Sequence, residues 1–383
     1  MKIVFLAKFF DLAGTTTHML TLGKGIIQEG NEVMLLCGKP KNKKEQELMN
    51  RFLDIGFKVE VLDFLSIRAP GKKYIFIELF KYLKEIPKGI KYLKGFEPDL
   101  IHVHWPVTQY LAKIYKLIYK VPYITTLHTN NTKKTFLHQK PDSIIAISRE
   151  IKEDVFNIYN MKNDNVYTVF NGIDEKDFFD NTTEVEKLQL KEEIGINNNY
   201  INILQVGRIS QLKGIDILLK ACKKLNDKGI KFNLILLGDG DTSWLNKLIE
   251  ENEINNIKVF PFQNPKRFYD ISDICVLASR KEGFPLVVVE AMLNKKVVVR
   301  TNTEGAYDQI KHLETGIIFE NENYEELYQY LEKLILDKKL REEISEAGFE
   351  YAKSNFTLDI MTKNTIDVYE KVLKNKEANL ISR

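Results

Sequence analysis

Residues 273–290 read DICVLASRKEGFPLVVVE. The stretch opens as a strand, with the apolar run Ile274 to Ala278 between Asp273 and Ser279. It passes through a loop holding Gly283 and Pro285, then gives way to the apolar, helix-compatible run Val287 to Leu293. A loop that enters a helix presents unpaired backbone N–H groups and a positive dipole end, a natural seat for phosphate or sugar oxygens. Glu282 sits before that helix start and Glu290 is expected roughly two turns inside it, so both are placed to reach one ligand. Spacing alone carries little, since Glu184/Glu192, Glu314/Glu322 and Glu342/Glu350 have the same separation. The strand–loop–helix context is what sets Glu282 and Glu290 apart.

Outward from this stretch, apolar strand patterns alternate with helical ones. Lys2–Ala7, Glu32–Leu36, Lys58–Leu62, Leu100–Val103, Tyr123–Leu127 and Ser143–Ile147 read as strands, with a helix over Thr17–Gln28. The pattern restarts near Val166–Phe170 and the turn-forming Asn171-Gly172-Ile173-Asp174. Ile201–Val206, Phe232–Leu237, Lys258–Phe260, Ile274–Leu277 and Lys296–Arg300 then supply a second strand set. Alternation with short connections predicts an α/β class with two Rossmann-like parallel-sheet domains facing a central cleft. The expected division is 1–170, 171–355 and a C-terminal helical segment 356–383, with Leu358–Lys374 amphipathic.

The chain has 383 residues, enough for two cores, with 44% hydrophobic and 28% charged residues. No apolar run reaches the roughly 20 residues that span a bilayer. MKIVFLAKFFDLAG reads as a first strand and not a signal peptide, because Lys8 and Asp11 interrupt it. Cys37, Cys222 and Cys275 lie in separate apolar segments and are expected to be reduced packing residues of a cytoplasmic protein. The net charge of +3 hides an asymmetry: residues 1–170 carry +9 and the remainder −6. Residues 72–94, KKYIFIELFKYLKEIPKGIKYLK, mix lysines with apolar side chains. Peripheral contact with an anionic membrane at the inner face of the cell membrane is one expectation; lysine stems covering an ordinary surface helix are the other.

The second strand set opens with VGRISQLKGIDILLKA at 206–221, is followed by LILLGDG at 234–240, and reaches EGFPLVVVE at 282–290. In that order these phrases resemble the retaining nucleotide-sugar glycosyltransferases of the GT-B fold, particularly glycosyltransferase family 4, whose signature is E-x7-E. The resemblance covers nearly the whole chain, strongly from 201 to 310 and weakly before 100; it implies an acceptor-side domain over 1–170, a nucleotide-sugar-binding domain over 171–355, and a helix in 356–383 that packs back on the N-terminal domain. It implies that Gly207, Arg208, Lys213, Gly238 and Glu290 bind the nucleotide, with Glu290 on the ribose. It places Glu282, Gly283, Phe284, Pro285, Leu286 and His128 at the donor sugar. His128, Glu282, Arg208 and Lys213 are the implied catalytic set, the two cations facing a departing diphosphate. In the first half, Asp11 to His18 resembles the loop that meets the diphosphate, with Gly14 alone where the family often has two glycines. His102 and His104 alternate on one strand face, while His138 and His312 read as surface residues.

Two departures stand out. EAMLNKKVVV puts Lys295 where the family has a glycine and Val297 where it has a proline. Glu304 lies in Thr303-Glu304-Gly305-Ala306, where two glycines are usual.

The resemblance implies transfer of a sugar, from a UDP-sugar above other donors, to an acceptor hydroxyl in polysaccharide or glycolipid assembly. The acceptor is then a sugar or lipid-linked glycan. No metal and no cofactor beyond the nucleotide sugar is expected, and no nucleic-acid partner. The competing readings are a non-catalytic nucleotide-sugar sensor or scaffold, a GT-B epimerase and a phosphorylase. The last two lack, respectively, a persuasive acid/base pair and a recognisable pyridoxal-bearing lysine.

Overall fold

The computed structural model describes residues 1–8, 14–63, 72–129, 137–161, 163–178 and 182–381. It divides into two compact units, Met1–Gly172 with Leu358–Arg383, and Ile173–Thr357. The strands of the first unit are β1 (Lys2–Leu6), β2 (Glu32–Gly38), β3 (Lys58–Leu62), β4 (Leu100–Val103), β5 (Tyr123–Leu127), β6 (Ser143–Ala146) and β7 (Val166–Thr168). They form one sheet in the order β3-β2-β1-β4-β5-β6-β7. The second unit holds β8 (Ile201–Val206), β9 (Phe232–Leu237), β10 (Ile257–Phe260), β11 (Ile274–Leu277), β12 (Val297–Thr301) and β13 (Ile317–Phe319), ordered β10-β9-β8-β11-β12-β13. Every pairing is parallel.

Two details differ from the sequence reading. Val166–Thr168 does not open the second strand set but closes the first sheet as its edge, paired to β6. β13 escaped notice because a three-residue apolar run shows no period.

Parallel strands buried on both faces are rich in apolar residues; here the inner strands are mostly apolar, with His102, Asn202 and Gln205 among the buried exceptions, while the edge strands β3 and β10 carry Lys58, Glu60 and Lys258. Alternation along β1 sorts its side chains. Ile3 and Phe5 enter a core with Met19, Leu22, Ile26 and Phe52, completed by Met361 and Tyr369 of the helix Leu358–Ile381. Val4 and Leu6 enter the opposite core with Leu93, Phe96, Leu111 and Tyr115. The C-terminal helix therefore belongs to the first unit by burial, on the face covered by the helix Gly14–Gln28.

The lysine-rich segment is the helix Lys72–Phe96. From Tyr82 onward its apolar side, Tyr82, Ile86, Leu93 and Phe96, is buried in the first unit's own core. Lys84, Lys88, Lys91 and Lys94 are exposed on the other side. That half of the helix has spent most of its apolar face internally, leaving Leu83 exposed among the lysines. Among the described residues, no helix is long and apolar enough to cross a membrane. All three cysteines are buried and free, and burial pushes the Cys37 and Cys275 thiols up to about 12, which keeps them unreactive.

Lys295 ends the helix Leu286–Leu293 in a left-handed conformation, φ 56°. A side chain there carries strain that glycine avoids. Nζ of Lys295 is 2.8 Å from Glu346 and lies 4.7 Å from the Phe349 ring centre, contacts a glycine would lack. An exposed pair of this kind contributes ~0.2–1 kcal/mol, comparable with the strain. Lys295→Gly should therefore change unfolding free energy in urea by less than about 1 kcal/mol, while Lys295→Val, β-branched in the same conformation, should cost at least about 1 kcal/mol more than the glycine variant.

Candidate active site

In both sheets the chain builds outward from the first strand, then returns to pair the fourth strand against it. The carboxyl ends of those two strands diverge, and ligands of open α/β sheets bind there. In the second unit the pair is β8 and β11, in register at Ile203–Ile274 and Leu204–Cys275. β8 delivers Gly207 and Arg208; β11 delivers Ser279 and, through the following loop, Glu282. Arg208 is exposed and forms no ion pair among the described residues. Lys213, at the end of a one-turn helix, places its Nζ 2.6 Å from Oε1 of Glu282, with the side chains 26% and 10% exposed. The two sequence candidates thus meet each other first. Each half-buried charge satisfies its neighbour, and the ammonium retains two further N–H donors.

The turn carrying Lys213 is fixed by a residue the sequence reading passed over. Arg280 makes a bidentate pair with Asp216 at 2.7 and 2.8 Å, reaches Glu322, and donates to the Gln211 carbonyl. Its backbone N–H also bonds the Leu212 carbonyl at 2.9 Å. Gly238, expected on the nucleotide, works underneath: a Cβ there would lie 1.9 Å from the Gly207 carbonyl oxygen. Its absent side chain lets the ends of β8 and β9 lie together.

Glu290 is the fifth residue of the helix Leu286–Leu293, little more than one turn in and not two. Its Oε2 accepts from the Tyr269 hydroxyl at 2.8 Å. Burial pushes the Glu290 carboxyl up to about 7 against the pull of that hydrogen bond, and raises the Tyr269 phenol well above its usual range. Glu282, by contrast, has a cation for its neighbour. Gly283, Phe284 and Pro285 form the connecting loop; Phe284 is buried, 5.4 Å edge-on from Phe356, and Pro285 caps the helix that Leu286 begins.

Arg300 at the end of β12 is fully buried. Its guanidinium donates to Thr303 Oγ1 at 3.0 Å, to the Glu304 carbonyl at 3.1 Å and to the Gln309 side-chain oxygen. Gln309 in turn donates to the Pro285 carbonyl at 3.0 Å. Gly305 closes the same contact, with no room for a Cβ 2.4 Å from the Gly283 carbonyl oxygen. One buried cation therefore ties the 303–305 loop to the Glu282–Pro285 loop. No spacing in the sequence marks Arg300, because only the fold buries it.

In the first unit the corresponding strands are β1 and β4. His104 follows β4, His128 follows β5, and His18 sits one turn into the helix after β1. His104 Nδ1 is 3.2 Å from His128 Nε2, so one of the two carries the shared proton. The His18 ring lies edge-on to His128 at 4.9 Å and to His104 at 5.7 Å. Burial lowers His18 to about 4 and His104 and His128 well below their usual range, so all three are neutral near pH 7. His102 shares a face with His104, ring centres 4.2 Å apart, but is tied off by Tyr369 at 2.7 Å and Thr126 at 2.6 Å. Gly14 starts its helix exposed, and among the described residues nothing lies within 4 Å of where its Cβ would be. The rest of that loop, from Asp11 to Ala13, lies outside the described residues. His138 is not the surface residue expected: it is partly buried, edge-on to Tyr159 at 5.6 Å.

Family comparison agrees with this architecture on both sides. Residues 12–177 match the model of Glycosyltransferase Family 4, and residues 186–351 match that of Glycosyl transferases group 1. The chain belongs to the family 4 glycosyltransferases of the GT-B fold. This transferase is 25% identical, over 94% of each chain, to an uncharacterized glycosyltransferase of Methanocaldococcus jannaschii. It is 31% identical to the capsular polysaccharide biosynthesis glycosyltransferase CapM of Staphylococcus aureus, over 61% of this chain and 63% of that one. Its fold is similar to that of HepE from Anabaena, solved in complex with UDP, with TM-score 0.82, 19% identity and coverage of 97% and 100%.

The raised Glu290 carboxyl has a consequence for the transferase's stability. The folded state favours the neutral acid, so folding loses free energy as pH climbs from the ordinary value of 4.5 towards about 7, and loses no more above it. Glu290→Gln keeps a partner for Tyr269 and removes the titration. Urea unfolding should show the parent losing more stability than Glu290→Gln between pH 5 and 8. Equal losses would mean that the carboxyl is already ionised in the folded state.

Proposed function

We propose that the transferase moves a sugar from a UDP-sugar to a saccharide hydroxyl of a growing polysaccharide, with retention at the anomeric carbon and no divalent ion on the diphosphate. The observation that carries this reading is the set of groups around the β8/β11 divergence: exposed Arg208, the Lys213–Glu282 pair, and a helix start with Glu290 just behind it. Cations face the place where negative charge grows as the diphosphate departs, and carboxylates face hydroxyl donors. The UDP in HepE and the polysaccharide in the name of CapM favour those choices of donor and acceptor class.

The chemistry then divides by residue. Arg208 and the spare N–H donors of Lys213 stabilise the leaving diphosphate while the anomeric carbon takes on oxocarbenium character. N–H groups at the start of the helix Leu286–Leu293 add dipole and hydrogen bonds. Glu282 accepts from sugar hydroxyls while holding Lys213, and Glu290 accepts from the ribose. On family resemblance alone we assign to His128 a hydrogen bond to the donor sugar. As a neutral ring it acts there as a donor or acceptor and supplies no charge.

Calorimetry with UDP and an assay of slow UDP-sugar hydrolysis test the division. Glu290→Ala should weaken free UDP. Glu282→Ala should leave UDP binding within about threefold and abolish hydrolysis and transfer, because its partner is the sugar. Arg208→Ala should lower turnover about 100-fold, the loss expected for one charge-stabilising group. Activity should persist in EDTA. Equal weakening of UDP by both glutamate variants would overturn the assigned roles, and a parent that binds UDP but hydrolyses no nucleotide sugar would favour a sensor over an enzyme.

A further inference from the structure

We propose that His18, His104 and His128 form a three-histidine site for a zinc-class divalent ion at the carboxyl edge of the first sheet. The three rings each offer a nitrogen, and these nitrogens lie within 4.8 Å of one another. Zinc held by imidazoles at about 2.0–2.1 Å in a tetrahedron sets its nitrogens roughly 3.4 Å apart. The His104–His128 separation of 3.2 Å already matches that edge. The site then requires the third nitrogen, from His18, to close in from within 4.8 Å.

Stacking of aromatic rings does not account for the arrangement by itself. Among the described residues neither ring nitrogen of His18 makes a well-formed hydrogen bond, although Asn171 is a near polar neighbour, and one of the two is available as a ligand. Nε2 of His104 is likewise buried with no hydrogen-bond partner among the described residues. Buried polar atoms without partners are uncommon and point to a missing ion or water. His102, two residues before His104 on the same face, shows the contrast, since both its nitrogens are bonded. The cluster also occupies the divergence of β1 and β4, where open parallel sheets receive ligands. An all-nitrogen donor set selects zinc, cobalt, nickel or copper over magnesium and calcium. Three protein ligands leave a fourth position for water or an anionic oxygen.

A metal bound here takes His128 away from any sugar hydroxyl, so zinc should inhibit transfer. That consequence rests on the function proposed above; the binding site does not. Metal-free full-length protein titrated with cobalt(II) should develop the visible absorption band of a four-coordinate site at one ion per chain, and zinc should displace it. His18→Asn and His104→Gln should each weaken zinc at least tenfold with unchanged circular dichroism, while His312→Gln, on the exposed surface of the other unit, should not. X-ray absorption at the zinc edge on the parent needs no variant and should read three imidazoles. Absence of the cobalt band, fewer than three imidazoles, or folded variants that bind zinc as tightly as the parent would overturn the site. Zinc binding without inhibition would keep the site and remove His128 from the transfer reaction.

Discussion

The pairing of the fourth strand against the first is the constraint on which the candidate sites depend. A parallel sheet cannot be built by hairpins, so each strand is reached by a crossover that covers a face. After three strands outward the chain must return to the open side of the first, and the two carboxyl ends then send their loops apart. In this protein that happens twice, at β1/β4 and at β8/β11. Lys213 and Glu282 are 69 positions apart in the chain and meet only because β8 and β11 are neighbours. His18, His104 and His128 meet for the same reason in the other sheet.

Around these divergences the protein handles charge in two ways. Where side chains keep some exposure, opposite charges pair: Lys213 with Glu282, and Arg280 with Asp216 and Glu322. Such pairs orient groups more than they stabilise the fold. Where a carboxyl or imidazole is desolvated with no opposite charge beside it, ionisation itself gives way, and a buried guanidinium is solvated by fixed dipoles. Glu290 shifts towards its neutral form, the histidines stay uncharged, and Arg300, which cannot shed its proton, gathers carbonyls, a hydroxyl and an amide oxygen. The Arg300–Gln309–Pro285 chain is the buried counterpart of the Arg280 clamp, and each holds one loop of the second unit against another.

Family features that the sequence lacks are replaced by contacts in the fold. A left-handed helix end usually given to glycine is occupied by Lys295, held by Glu346 and Phe349. The usual pair of glycines near residue 304 is reduced to one, and Gly305 is the one that cannot carry a side chain, because the Gly283 carbonyl oxygen fills its place.

The residues by themselves determined the parallel α/β class and nearly every strand, because apolar runs bounded by turn formers are local signals. They also marked Glu282, Glu290, Arg208, Lys213 and His128, since motif order is readable along the chain. They did not show that Val166–Thr168 closes the first sheet or that β13 exists, while the return of the last helix to the first unit was implied by the resemblance and not by any local signal. Edge placement and three-residue strands leave no period to read. Tertiary structure alone decided which charges are neutralised and which are buried. The Lys213–Glu282 pair, the raised Glu290 carboxyl, the buried Arg300 and the three clustered histidines are properties of distance and dielectric. Those quantities arise only when segments remote in sequence exclude water together.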